Sequence, residues 1–139
     1  MWIPTRTENG AVTFDSLLEL IDRHGITVSW ERMADGFAGA VDLRSRTIFL
    51  DRTLDSRPRH AVSVLAHECG HVALLHGCEQ TPRGEELADE WAARLLIPPG
   101  AYERAERMYG DNVHAIAVEL GVTKRLVTAY QRALHALVA

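Results

Sequence analysis

The sequence predicts an α+β fold: a small sheet of about three strands, antiparallel or mixed, packed on a long helix, with a helical region closing the chain. Three observations predict it. A first segment with helical apolar spacing is followed by three short β-branched runs, and beyond residue 56 every periodic segment is helical, so strands and helices are segregated rather than alternating. The 139 residues suit one domain, read as 1–139, with a core over 14–100 and a helical subdomain over 101–139. A composition 47% hydrophobic and 24% charged belongs to a chain that buries a core, not to a disordered one.

Residues 14–24 (FDSLLELIDRH) place apolar side chains every three or four positions and stop before Gly25, where a C-cap belongs. Residues 26–30 (ITVSW) alternate and are β-branched, and 36–41 and 47–50 flank the turn-like 42–46, a predicted hairpin. Ser56 is the expected N-cap of a helix that starts near Arg57-Pro58 and runs to Gly77, since Pro is tolerated in a first turn. Pro82 and Gly84 are expected to break the chain before a helix over 85–97, which Pro98-Pro99-Gly100 ends. Shorter helices follow over 101–108, 112–120 and 124–137.

A net charge of −4 argues against a broad basic face for nucleic acid. Cys69 and Cys78 form no multi-cysteine framework, so neither a disulfide scaffold nor a Cys-rich zinc finger is available. No stretch approaches the roughly 20 apolar residues of a membrane span, and the start has neither the basic nor the apolar region of a signal peptide. The expected location is the cytoplasm, with no membrane partner.

Chemistry concentrates in His67-Glu68-Cys69-Gly70-His71, an instance of HExxH. Residues four apart on a helix differ by about 40°, so both imidazoles leave one face and can grip one ion. Glu68, about 100° round from His67, can reach a water at that ion as general base without ligating it. A shuffled chain of this composition holds roughly 0.03 HExxH matches, so context must carry the case. Here Val62, Leu65, Cys69, Val72 and Ala73 cluster opposite the histidines and give the helix an apolar back. Cys69 lies on that back and reads as a small buried hydrophobe.

Catalytic zinc takes three protein ligands and leaves a position for water, so a third is needed. His76 is one candidate, but it follows His71 by five residues where a metzincin-like spacing needs six, and Leu74 fills the position where that pattern has Gly. If the helix continues, His76 points about 180° from His67. The other candidate is Glu85, which shares a face with Ala88, Asp89, Ala92 and Leu96. A carboxylate pair on an inward apolar face needs a cation or strong donors, which fits Glu85 as ligand and Asp89 as acceptor for the free N–H of a ligand histidine. Glu86 and Glu90 fall on the flank and read as solvated charges. For stabilising a scissile carbonyl the candidates are His60, Tyr102, Tyr109 and His114, and the sequence does not choose among them.

HECGH with the following Leu74-Leu75-His76, and then Glu85-x-x-Ala88-Asp89-x-Trp91-Ala92-Ala93-x-Leu95-Leu96-x-Pro98, resemble the ImmA/IrrE family of zinc metallopeptidases. Its usual form is HELGHxLLH followed by ExxANxFAxxLLMP; here two residues, Val72 and Ala73, stand where that form has the single x. Among the departures from that form, Cys69, Trp91 and Ile97 are each apolar for apolar. The resemblance runs from about Phe14 to the C-terminus and implies Zn2+ as cofactor and Glu85 as third ligand. It also implies cleavage of a protein partner, a helix-turn-helix transcriptional repressor, often encoded beside the peptidase on a mobile element or prophage. If the strand over 47–50 forms a sheet edge at the cleft, such a substrate could add to it as a strand.

The tail has helix-turn-helix spacing of its own: Ile116, Ala117, Leu120, Gly121, Val122, then Val127 and Tyr130. Thr123, Lys124, Arg125 and Thr128 open its second helix. Direct DNA binding would use these residues, but one Lys-Arg pair on an acidic chain is a weak footprint, which favours a helical subdomain packed on the metal core.

Overall fold

The computed structural model describes residues 2–75 and 81–138; His76 and Cys78 lie outside the described residues. The chain runs α1 (Phe14–Arg23), β1 (Thr27–Glu31), β2 (Gly39–Asp42), β3 (Thr47–Asp51), a 3-10 turn (Arg52–Ser56), α2 (Pro58–Ala73), α3 (Pro82–Leu96), α4 (Pro99–Tyr109), α5 (Val113–Leu120) and α6 (Lys124–Val138). This is an α+β fold. Helix α1 starts at a capping box between Thr13 and Ser16 and stops at Gly25, whose φ of +71° suits glycine.

Strand order is β1-β3-β2, with β1 parallel to β3 and β2 antiparallel to it. The predicted hairpin forms: Asp42 accepts from the Arg44 amide and the Ser45 hydroxyl and closes the turn. The run 47–50, however, is the central strand and not an edge, because β1 returns parallel on its far side. The second strand also starts later than expected, at Gly39, since Gly36 has a φ of +88° that no strand adopts. On β3, Ile48 and Leu50 point into the core, while Thr47, Phe49 and Asp51 face the other way.

Four helix boundaries differ from expectation, each for a local reason. Ser56 belongs to the 3-10 turn, and Arg57 occupies the N-cap of α2 without a side-chain cap. Helix α2 stops at Ala73 rather than Gly77: Leu74 is the C-cap and Leu75 takes a φ of +58°. Pro82 and Gly84 do not break the chain; they form the first turn of α3, where Pro loses no hydrogen bond and Thr81 accepts from the Gly84 amide as N-cap. The same reading applies to Pro99 and Gly100, which begin α4.

A continuous hydrophobic cluster joins these elements. Leu17, Leu20 and Ile21 of α1, Ile48 and Leu50 of β3 and Leu65 and Cys69 of α2 meet Ala92 and Leu96 of α3, and onward Ile116, Val122, Leu126 and Val127 of the tail. Helix α2 is central, with the sheet and α1 against it and α3 alongside; α6 packs on α3. Among the described residues no helix is long and apolar enough to cross a membrane.

Candidate active site

Helices α2 and α3 approach closely because small residues meet at the crossing. A Cβ on Gly70 would lie 2.9 Å from the Ala88 carbonyl oxygen and 3.2 Å from its Cα. Gly70→Ala is therefore expected to force the helices apart and to destabilise the protein by about 1–3 kcal/mol, as overpacked cores do. Urea denaturation measures that loss. An unchanged midpoint would mean that α3 shifts freely, contrary to the burial of Ala88 and Ala92.

This close approach brings His67 and His71 of α2 against Glu85 of α3. Their ligand atoms all lie within 4.8 Å of one another. Nε2 of His67 is 3.1 Å from Nε2 of His71 and 3.4 Å from Oε2 of Glu85, and that oxygen also contacts Nε2 of His71. Corners of a tetrahedron with ligand bonds of about 2.0–2.1 Å stand about 3.3 Å apart. Asp89, one turn after Glu85, meets Nδ1 of His67 through Oδ1 at 2.7 Å. With Nδ1–H donated to Asp89, the lone pair of His67 Nε2 faces the other two atoms.

Among the described residues the buried Glu85 Oε2 has no hydrogen-bond partner, only its contacts with the two imidazoles. One proton among these three atoms bonds well along a single contact, whereas a metal ion satisfies all three at once. The residues present therefore fit a metal.

Glu68 stands beside the group without joining it: its Oε2 is 4.0 Å from His67 Nε2, and the residue is 5% exposed. Burial pushes its carboxyl up to about 7, against the pull of His67 and Arg125. Burial alone would depress His67, but the Asp89 bond and the carboxylates of Glu68, Asp89 and Glu85 outweigh it and raise the imidazole. Asp89 is likewise disfavoured by burial, yet its bonds to His67 and Arg125 hold it below the usual carboxylate range.

Over residues 21–129 the chain matches the family model described as IrrE N-terminal-like domain, Peptidase_M78. The chain belongs to this peptidase family. No curated protein matches it. Membership in Peptidase_M78 and the His-His-Glu group together suit a metal-dependent peptidase.

In this Peptidase_M78 member the site opens on a cleft of about 520 Å3 whose walls come from four places: Phe37, Ala38 and Gly39 leading into β2, the front of α2, Glu85 and Asp89 of α3, and Thr123, Lys124 and Arg125 at the start of α6. Strand β2 lies flush on α2, since a Cβ on Gly39 would come 2.9 Å from Val64 Cγ1 and 3.3 Å from Glu68 Cγ. Of the four candidates for carbonyl stabilisation, His60 lines the cleft. Tyr102 donates to Glu106 and accepts from Gln131, Tyr109 donates to Glu119, and His114 is exposed on α5; none of these three lines the cleft.

The flank residues divide. Glu86 is half exposed, as expected of a solvated charge, but Glu90 is mostly covered and accepts from Arg132 Nε at 3.0 Å, tying α3 to α6. Sequence reading also missed the contribution of the tail. Arg125 donates to Asp89 Oδ2 at 2.6 Å, and the Thr123 amide donates to Ser63 Oγ on α2 at 3.2 Å. One signal was available: Asp89 stands where the usual ExxAN motif has Asn, and an added buried charge calls for a cation.

Proposed function

We propose that the chain is a zinc-dependent endopeptidase that cuts a protein substrate, a helix-turn-helix transcriptional repressor in the cytoplasm, and so relieves repression. The observation that carries the reading is the convergence of His67, His71 and Glu85 on one point with Glu68 buried beside it. Two imidazoles and one carboxylate are a donor set of catalytic zinc, with a position left for water. Zinc held there supplies Lewis acidity for the scissile carbonyl and makes a water easier to deprotonate. Glu68 takes the proton of the attacking water and delivers it to the leaving amine nitrogen. Asp89 keeps His67 in the tautomer that presents Nε2 to the metal.

Strand β2 ends the sheet order, and its Gly39 lies against Glu68. An extended segment of the substrate adds to that edge, in place of the edge expected over 47–50, and its backbone then runs past Glu68. The repressor as substrate is supported by the resemblance of both motifs to the ImmA/IrrE family.

The test is metal dependence followed by substrate. Purified protein is expected to carry about one zinc per chain. A chelator should abolish cleavage of the repressor encoded beside the gene, and added zinc should restore it. Cleavage by the metal-free protein would overturn the zinc role, and an intact repressor after incubation with the loaded protein would overturn the substrate.

A further inference from the structure

The tail enters the ligand network through one side chain. Arg125, the second residue of α6, gives its Nε–H to Oδ2 of Asp89 at 2.6 Å, while Oδ1 of the same carboxylate takes His67 Nδ1–H at 2.7 Å. We infer that Arg125 is a positioning residue for the metal: it fixes the Asp89 carboxylate, which in turn orients His67. The inference rests on the metal reading above.

Three features of the site support it. The Asp89 side chain is only 8% exposed and sits near Glu68 and Glu85, so its second oxygen needs a donor and its charge needs a cation. With Asn at this position, as in the usual motif, neither need would arise. The Arg125 side chain is 64% exposed and so does little as packing. An ordinary exposed ion pair contributes little, but this donor is held short against a buried acceptor, which places the bond among strong charge-assisted ones. Finally, the backbone that carries Arg125 is held in register with α2, because the Thr123 amide donates to Ser63 Oγ, four residues before His67. Losing an outer partner of a metal-bound histidine costs 10- to 100-fold in affinity as a rule, and Arg125, one step further out, is expected to act at the lower end of that range.

The experiment is a zinc titration against a chromophoric chelator, with thermal melting of each metal-free variant. Arg125→Ala is expected to weaken zinc binding about tenfold while the metal-free protein stays folded, and Arg125→Lys should recover part of the loss. In an Asp89→Asn background the same Arg125→Ala change should cause no further loss, because no buried charge remains to be fixed. Wild-type affinity in Arg125→Ala, or an equal loss in both backgrounds, would overturn the assignment. If Arg125→Ala does not fold, Arg125→Lys in the two backgrounds carries the same comparison. A wild-type protein that binds no zinc would overturn the metal reading itself, an outcome distinct from a zinc-binding protein indifferent to Arg125.

Discussion

Replacing Glu68 by Gln is expected to lower peptide turnover by about 10^2- to 10^4-fold, the usual contribution of a general acid–base group, with metal content unchanged. Gln matches Glu68 in volume, and the carboxylate lies outside the His67, His71 and Glu85 group, so neither packing against Gly39 nor the ligand set is altered. What the amide lacks is the capacity to take a proton from water and return it to the leaving nitrogen. The effect should fall on kcat rather than KM, because substrate held along β2 does not depend on the proton. Single-turnover cleavage, with metal stoichiometry measured on the same sample, checks it. Retained turnover in a zinc-loaded Glu68→Gln protein would remove Glu68 from the chemistry.

Local spacing made much of the site readable. His67 and His71 share a helix face by arithmetic, and an acidic pair on an apolar face marked Glu85 and Asp89 as inward-pointing. The α+β order followed from where strand-like runs stop. What stayed hidden depends on contacts between distant segments. Nothing in residues 47–50 says that β1 returns parallel beside them, so the central strand looked like an edge. Pro82 and Gly84 suggest a break only until Thr81 is seen to cap the turn they begin. Arg125 lies 36 residues from Asp89, and no periodicity links them. Gly70 and Gly39 show their reason only when a second backbone or side chain arrives within 3 Å of the missing Cβ.

Changing Glu85 to Gln is expected to weaken zinc binding by more than the 10- to 100-fold that loss of an outer partner causes, whereas Glu86→Gln should leave it unchanged. The two residues are neighbours with opposite surroundings. Glu85 Oε2 is buried and faces both imidazoles, while Glu86 is half exposed and serves Arg83 and Arg132. In the metal-free protein the same substitution should cost little stability, since the Gln amide can donate toward His71 Nε2 in place of the contact that the partly exposed carboxylate makes there. Stability and affinity thus part company in this variant. Zinc at a hundredfold excess over Kd adds about 2.7 kcal/mol to wild type. For a chain of this size that raises Tm on the order of 10 °C. Differential scanning calorimetry with and without zinc should show the rise in wild type and Glu86→Gln and little of it in Glu85→Gln. A full zinc-induced rise in Glu85→Gln would move the third ligand elsewhere.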